Sequence, residues 1–496
     1  QYNFLGVLYI TINISHLKFS YVFDSPKKQG MLMEITNPLA SSFRDPSGFV
    51  YKKNGEIYRQ VNHSYEAEYE QLMSSGLYNS LVNSNLLVKH EEINRANLVN
   101  DHAHKIIKPE IIPYISYPYE WSFSQLKDAA LCTLEIQKIA LKHGMILKDA
   151  SAYNIQFLKG RPIFIDTLSF ETYEPGNPWV AYKQFCQHFI APLALMAYTD
   201  IRMSQLLRIY VDGIPLDLTS KLMPIKTWLK YSLLTHLHLH AKTQKFYADS
   251  AGKGNKDAKA RPISKLGFDA LMDSIYSCVK NIDWNLSKTE WGDYYTATNY
   301  ENEAMLHKET LIGEFLEVLP KTSFLHDLGA NDGRFSRIAV KKGHTVISQD
   351  IDPVAVEKNY LYEKKQEERN ILPLLQDINN PSSGIGWGAE ERESFFNRCK
   401  NENVLALALV HHLAISNNVP LNKLSEFFSR LAAYLIIEFA SKDDSQVKRL
   451  LATRVDIFPK YTIEGFEEAF SEHFKIIKKE SIKKSHRILY LMKKKL

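Results

Sequence analysis

The stretch FLHDLGANDGR at residues 324–334 decides the fold of the C-terminal half of this chain. Apolar residues lead up to Asp327, two glycines follow at Gly329 and Gly333, and residues 335–340 begin a helical pattern. This order predicts a strand, a tight turn and the start of a helix. Glycine suits the turn because a Cβ would keep the backbone away from a ligand, and because a tight turn can require a positive φ.

Carboxylates also end the next two apolar runs. Asp350 ends the second run, about 20 residues after the turn, and Asp377 follows the third. An acidic side chain at the end of a second strand suits hydrogen bonding to ribose hydroxyls. Asp352 is an alternative residue for binding the ribose, but Asp350 is preferred because it directly ends the predicted strand. The pattern therefore predicts a nucleotide-type cofactor site. The spacing is DxGxNxG, so it is not the GxGxxG dinucleotide fingerprint.

This spacing resembles motif I of the class I methyltransferases that use S-adenosyl-L-methionine (SAM), and the resemblance covers about residues 291–496. It implies a Rossmann-like α/β sheet of seven strands with the last strand antiparallel, and SAM as the cofactor. It also implies that the glycine turn holds the methionine part of SAM, Asp350 the ribose and Asp377 the adenine. The residues implied to bind the cofactor are Asp327, Gly329, Asn331, Gly333, Asp350 and Asp377. A different Rossmann-like nucleotide site is the alternative, and for Asp377 a solvated turn carboxylate.

Apolar and helical patterns alternate from residue 321 onward, which predicts a parallel sheet with right-handed crossovers. Only a short basic segment separates the last two runs. Those two strands should be antiparallel, because a parallel crossover needs a dozen or more residues. The predicted strands are 322–328, 344–349, 371–376, 404–410, 434–440, 474–480 and 487–493.

Two adjacent histidines follow the fourth run, in LALALVHHLAI at residues 405–415. The pattern places His411 and His412 at the carboxyl end of a central strand, where open α/β sheets form their ligand crevice. An imidazole there can accept a proton from the methyl acceptor, so both are candidate catalytic residues. The alternative is that one histidine packs and the other caps the next helix. Four aromatic residues lie upstream of the glycine turn, and we expect them to form either a lid over the cofactor or part of the ordinary core. They are Trp291, Tyr294, Tyr295 and Tyr300.

The N-terminal half carries a second spaced set of polar residues, in ILKDASAYNIQFLKGRPIFIDTLSF at residues 146–170. Asp149 and Asn154 have the spacing of the protein-kinase catalytic loop, HRDxxxxN. Asp166 follows a further apolar strand, as the second metal-binding aspartate of kinases does. This half therefore resembles the α+β kinase-like fold of aminoglycoside and other small-molecule phosphotransferases.

The parts that hold ATP phosphates in that family depart from the pattern here. No G-x-G-x-x-G loop precedes the hairpin predicted at residues 48–61, and the V-A-I-K lysine is missing, although Arg59 stands on the second strand. We therefore expect a kinase-like fold without phosphotransferase activity.

Composition limits the remaining function classes. The 496 residues carry a net charge of +5, too mild an excess to indicate a dedicated nucleic-acid-binding protein. Four cysteines without a CxxC pair indicate a reduced, cytoplasmic protein. No apolar run reaches the roughly 18 residues that a membrane helix needs. No metal site is predicted, because His236, His238 and His240 do not share a face on a helix and packing is their expected role.

Four segments are expected: a non-domain extension at 1–30, a kinase-like domain at 31–245, a linker and helical connection at 246–290, and a methyltransferase domain at 291–496. The pairing, together with GIGWGAEERESFF at 384–396, resembles a poorly characterised group of bacterial nodulation-type proteins. The resemblance implies a SAM-dependent methyltransferase acting on an unidentified small-molecule or biosynthetic-intermediate acceptor, with the kinase-like half recognising substrate or partner. The alternatives are a bifunctional small-molecule kinase and methyltransferase, and an inactive SAM-binding scaffold.

Overall fold

The computed structural model describes residues 38–93, 102–242, 262–286 and 302–495. The strands are β1 (Gly48–Lys53), β2 (Glu56–Asn62), β3 (His90–Ile93), β4 (Ala103–Pro109), β5 (Met145–Leu147), β6 (Ile155–Leu158), β7 (Arg161–Phe164), β8 (Phe170–Thr172), β9 (Leu325–Leu328), β10 (Val346–Asp350), β11 (Ile371–Leu375), β12 (Glu402–Ala406), β13 (Ala432–Ala440), β14 (Phe474–Ser481) and β15 (Arg487–Lys494).

The α-helices are α1 (Glu66–Ser74), α2 (Leu77–Asn83), α3 (Phe123–Lys142), α4 (Tyr182–Phe185), α5 (Ala191–Tyr198), α6 (Leu206–Ile209), α7 (Leu216–Leu222), α8 (Tyr231–Leu233), α9 (Lys265–Asn281), α10 (Asn302–Glu317), α11 (Arg334–Lys341), α12 (Pro353–Gln366), α13 (Phe395–Arg398), α14 (Leu421–Leu431), α15 (Ser445–Leu451) and α16 (Ile463–Ser471). Short 3-10 turns include His63–Tyr65 and Ala152–Asn154, and π-helical turns lie at Cys186–Ile190, Leu234–Leu239 and His412–Ser416. Within the described ranges, no helix is both long and apolar enough to cross a bilayer.

The N-terminal half begins with a four-stranded antiparallel sheet in the order β1-β2-β4-β3. The turn between β1 and β2 has left-handed φ values of 52° at Asn54 and 83° at Gly55, so the hairpin predicted from this dipeptide is confirmed. The long helix α3 begins with a capping box, in which Ser122 and Gln125 each accept a hydrogen bond from the other's backbone N–H.

Two short hairpins follow α3 and gather the kinase-spaced residues. β5 pairs with β8, and β6 pairs with β7. Asp149 lies in the loop between β5 and β6, Asn154 ends the 3-10 turn of that loop, and Asp166 comes just after β7. Residues spaced along the sequence therefore lie around one hairpin.

The C-terminal half contains a mixed seven-stranded sheet in the order β11-β10-β9-β12-β13-β15-β14. The strands from β11 to β13 pair in parallel, and β15 runs antiparallel to both β13 and β14. Each predicted apolar run overlaps one of these strands, and the mixed α/β architecture is confirmed. Because parallel strands end at the same edge of a sheet, the residues after β9, β10, β11, β12 and β13 lie along one edge.

Burial on both faces removes the apolar-polar alternation from these strands. Every residue of β9 and β10 is buried, including the polar His326 and Gln349. α14 shows the helical counterpart, because it buries Leu421, Leu424, Phe428 and Leu431 at a spacing of three to four residues. Burying each such side chain contributes roughly 1.5–3 kcal/mol.

The predicted end of the fourth strand was wrong. β12 ends at Ala406 instead of residue 410. Ala408 adopts a left-handed φ of 50°, which turns the chain although the residues stay apolar. His411 and His412 therefore do not stand at the strand end, but in the first turn of a short helix beyond it.

Polar contacts join the two halves, and the described residues of both form one compact unit. Arg398 Nη1 donates to Glu120 Oε2 at 2.9 Å, and Tyr360 donates from its hydroxyl to Asp128 Oδ2 at 2.7 Å. The domain boundaries expected from the sequence remain predictions. The extension at 1–30 and the four aromatic residues between 291 and 300 lie outside the described residues, as does part of the predicted linker.

Candidate cofactor site

The glycine turn after β9 has the backbone that its sequence predicts. Gly329, Asn331 and Gly333 all have left-handed φ, at 77°, 51° and 82°. A Cβ on Gly333 would lie 2.5 Å from Asn359 Oδ1, so packing and φ both demand glycine there. A Cβ on Gly329 would lie 3.4 Å from the Leu409 side chain, an ordinary contact, so the positive φ is the main reason for glycine at this position. The left-handed backbone of the turn therefore explains its glycines.

Asp350 ties the end of β10 to this turn. Its side-chain Oδ2 accepts a hydrogen bond from Asn331 N at 2.8 Å, and its Oδ1 accepts one from Asp352 N at 2.8 Å. Burial raises the pKa of the Asp350 carboxyl to about 6. Asp352 has a different task, because its Oδ1 caps α12 by accepting from Val354 N at 2.8 Å. Of the two carboxylates considered from the sequence, Asp350 bonds to the backbone of the turn through Asn331 N.

Asp327 forms a buried polar group below the turn. Its Oδ2 accepts a hydrogen bond from Ser336 Oγ at 2.6 Å, and Ser336 lies on α11. Burial raises the pKa of Asp327 to about 7, and the charge of Asp350 acts in the same direction. Ser336 was missed from the sequence. Its spacing of nine residues from Asp327 places it in the first helical turn after the glycines.

Asp377 lies two residues beyond the end of β11 and is half-buried. Its Oδ1 accepts a hydrogen bond from Asn379 N at 2.8 Å, a local turn contact. The preceding Gln376 donates its backbone N–H to Asp350 O at 2.8 Å, so the ends of β10 and β11 are joined. Asp377 therefore lies at the same edge of the sheet as Asp350.

The two histidines occupy a buried setting beyond β12. His411 is fully buried, and neither of its ring nitrogens has a hydrogen-bond partner among the described residues. The two imidazole rings lie 4.2 Å apart between centroids. Burial lowers the pKa of His412 to about 4 and holds the pKa of His411 well below its usual value. Both imidazoles are therefore neutral, the form that accepts a proton.

A buried ionic cluster supports the turn between β12 and the histidines. Glu438 on β13 is fully buried and lies 2.5 Å from Lys308 Nζ and 2.8 Å from Arg487 Nη1. These two cations hold the pKa of the Glu438 carboxyl well below its usual range against the effect of burial. Its Oε2 also accepts from Ala408 N at 3.2 Å, at the left-handed residue of the turn. The sequence signal for this cluster is one acidic residue inside the apolar run LIIEFA.

The glycine turn and the histidine turn are in contact. The Leu409 side chain lies next to the Gly329 α-carbon, and His411 follows it by two residues. The structure thus gathers the predicted residues of this half along one sheet edge, with Glu438 and Ser336 as supporting groups.

Two of the kinase-spaced residues of the other half, Asn154 and Asp166, share Ser169 as a hydrogen-bond partner, and Asp166 also pairs with Arg59. Arg59 Nη2 lies 2.5 Å from Asp166 Oδ1, and Ser169 Oγ donates to Asp166 Oδ2 at 2.6 Å. Asn154 Nδ2 in turn donates to Ser169 Oγ at 3.3 Å. Both oxygens of Asp166 are therefore engaged within the protein.

The fold and the site define an α/β protein whose glycine turn and acidic strand end meet at the carboxyl edge of a largely parallel sheet. No family model matches the chain. It is 35% identical to the nodulation protein NoeA of Rhizobium meliloti (strain 1021) over 457 residues, which covers 91% of this chain and 95% of that protein. The chain therefore belongs to the NoeA family of nodulation proteins, and the resemblance to nodulation-type proteins is confirmed.

Solved structures of two methyltransferases show weaker similarity. The N-methyltransferase NodS from Bradyrhizobium japonicum WM9 matches with 11% identity and a TM-score of 0.30, over 40% of this chain and 99% of that one. Magnesium protoporphyrin IX methyltransferase (ChlM) from Synechocystis PCC 6803, with bound SAH, matches with 17% identity and a TM-score of 0.29, over 41% of this chain and 93% of that one. Scores this low carry no argument about this chain.

Proposed function

We propose that the chain is a SAM-dependent methyltransferase, with its cofactor site at the carboxyl edge of the seven-stranded sheet. One observation carries the proposal: the carboxylate of Asp350, at the end of the second strand of the sheet, is bonded to the backbone of the left-handed glycine turn. A turn free of bulky side chains beside an acidic strand end suits a ligand with a charged tail and a ribose.

The residues present fit this cofactor. Asp350 keeps acceptor capacity for ribose hydroxyls, because a carboxylate has about four lone-pair sites and the backbone N–H groups of Asn331, Ile351 and Asp352 occupy three. Gly329 and Gly333 give the turn the left-handed backbone that would receive the methionine part. Asp377, at the same edge of the sheet, would accept a hydrogen bond from the adenine amino group. When bound, SAM supplies an electrophilic methyl group with a good, neutral leaving group.

The protein's own contribution is then mostly positioning and exclusion of water. His411 or His412 would take the proton that the acceptor loses, because burial keeps both imidazoles in the proton-accepting form. His411 also offers two buried ring nitrogens that pair with no described residue, so a bound acceptor can satisfy one of them. We propose a small-molecule acceptor.

We further infer that the N-terminal half recognises substrate or partner and does not transfer phosphate. Arg59 neutralises Asp166, and Ser169 takes its second oxygen, so this carboxylate is not presented to a metal-phosphate complex. Phosphoryl transfer depends on such metal and phosphate contacts for nearly all of its rate.

Calorimetric titration with SAM tests the proposal through two glycine variants. Gly329→Ala forces a side chain into a left-handed residue at the proposed site, and Gly388→Ala does the same at φ 64° where a Cβ meets nothing within 4 Å. Both variants carry the same kind of backbone strain, so only a site at the turn separates them. We expect binding by the wild type and by Gly388→Ala, and markedly weaker binding by Gly329→Ala. No SAM binding by the wild type, or equal affinities in the two variants, would contradict the proposal.

A further inference from the structure

The four-stranded sheet of the N-terminal half brings together three metal-ligating side chains that lie apart in the sequence. His63 stands in the 3-10 turn after β2, Glu66 begins α1, and His104 lies on β4. One nitrogen or oxygen of each lies within 4.8 Å of the others. We propose that these three residues bind a divalent first-row transition ion, with Zn²⁺ as the best match.

The distances suit such an ion. His63 Nδ1 lies 2.9 Å from Glu66 Oε2, and His104 Nδ1 lies 3.5 Å from Glu66 Oε1. A tetrahedral Zn²⁺ with bonds of about 2.1 Å separates its ligand atoms by roughly 3.4 Å. The site therefore needs only small side-chain rotations to close around the ion, and two imidazoles with one carboxylate form a ligand set that zinc commonly takes.

The hydrogen bonds of His104 supply a second, independent indication. Its Nε2 lies 3.0 Å from Glu70 Oε1, and since a carboxylate only accepts, Nε2 carries the proton. Nδ1 faces the Glu66 carboxylate at 3.5 Å, so a cation held between them would bond to both. A carboxylate that fixes the other nitrogen of a metal-binding histidine is the usual outer arrangement of zinc sites.

Burial assigns the roles of the ligands. The His104 side chain is 8% exposed, whereas those of His63 and Glu66 are 52% and 51% exposed. His104 is thus the fixed ligand within the sheet, and the other two close over it from the surface. On binding, the ion takes the position between His63 Nδ1 and Glu66, and the ring proton of the neutral His63 is then carried on Nε2. The bound ion would join the start of α1 to β4, and three protein ligands leave one position for water.

Titration of the full chain, freed of metal, with Co²⁺ tests this proposal. Co²⁺ at a low coordination number absorbs visible light, and Zn²⁺ should displace it from the protein in competition. We expect one Co²⁺ per chain, and a melting temperature that Zn²⁺ raises by mass action and a chelator restores. The variants are His63→Gln and Glu66→Gln, both at exposed side chains, with His486→Gln as a control at an exposed histidine of the other half.

The variants distinguish Co²⁺ bound by the three proposed ligands from Co²⁺ bound non-specifically by exposed histidines. His63→Gln and Glu66→Gln should abolish the one-to-one absorption, while His486→Gln retains it. Glu70→Gln should weaken binding by roughly 10–100-fold, as expected for an outer hydrogen-bond partner. Each variant must keep the metal-free melting temperature of the wild type. Lost Co²⁺ binding can then be assigned to the missing metal ligand and not to unfolding. The proposal is overturned if the wild type shows no one-to-one binding, or if His63→Gln and Glu66→Gln bind Co²⁺ as His486→Gln does.

Discussion

Replacing Glu438 by glutamine should destabilise the C-terminal half strongly. The change keeps the shape of the side chain and removes the charge that Lys308 and Arg487 share at 2.5 and 2.8 Å. All three side chains are at most 3% exposed, so water cannot replace the lost carboxylate. Breaking a buried ion pair by removing one partner costs about 3–5 kcal/mol.

That cost is large compared with the ordinary stability of a domain, about 5–15 kcal/mol. With a urea slope of about 3 kcal/mol/M, it lowers the unfolding midpoint by roughly 1–2 M. Urea unfolding followed by circular dichroism measures the shift. The control is Glu426→Gln, which breaks an exposed ion pair to Lys423 at 2.8 Å and should leave the unfolding midpoint nearly unchanged, because water screens exposed pairs.

The same substitution should also weaken cofactor binding. Glu438 accepts from Ala408 N in the left-handed turn, and Leu409 of that turn packs beside Gly329. A loosened turn displaces this contact, so SAM affinity should fall in Glu438→Gln but not in Glu426→Gln. If both variants shift the urea midpoint equally, the ionic cluster does not stabilise this half and the reasoning is refuted.

Further predictions concern the cofactor site and the kinase-spaced residues of the N-terminal half. Asp350→Asn should weaken SAM by about 1–3 kcal/mol, the range for losing a charged hydrogen-bond partner, and Asp352→Asn by less; calorimetry that reverses this ranking would move the ribose to Asp352. Since positively charged SAM favours the ionised Asp350 carboxylate, whose pKa in the empty site is about 6, wild-type affinity should fall as pH drops below about 6, and Asp350→Asn should flatten that dependence. His411→Ala or His412→Ala should slow methyl transfer from radiolabelled SAM to a small-molecule extract, by roughly 10²–10⁴-fold for the general base, with SAM affinity nearly unchanged; normal transfer in both leaves positioning alone as the mechanism. Asp166→Asn should lower the melting temperature without changing SAM affinity, and phosphate transfer from labelled ATP by the wild type, lost in Asp149→Asn, would contradict the assignment of the N-terminal half.

The strands were predictable because burial on both faces leaves a direct mark on the sequence. β10 is buried throughout, and its run ends at the charged Asp350, so the strand and its end are both visible. The glycine turn was predictable for a related reason, since Gly329 and Gly333 both need left-handed φ.

The end of β12 was not predictable from the same signals. LALALV stays apolar through the turn, and Ala408 takes a left-handed φ without being glycine. What holds it there is Glu438, a residue 30 positions later in the chain. Contacts over such separations leave no local pattern, and the same is true of His104 meeting His63 and Glu66 across the N-terminal sheet.

A crystal structure of the chain with bound S-adenosylhomocysteine tests the central claim most directly. The account predicts the homocysteine part against the backbone of Gly329–Gly333, the ribose hydroxyls on the carboxylate of Asp350, and the adenine beside Asp377. The sulfur should lie towards the turn that carries His411 and His412. A ligand bound elsewhere, or a fully soaked crystal with no ligand at this edge of the sheet, would contradict the account.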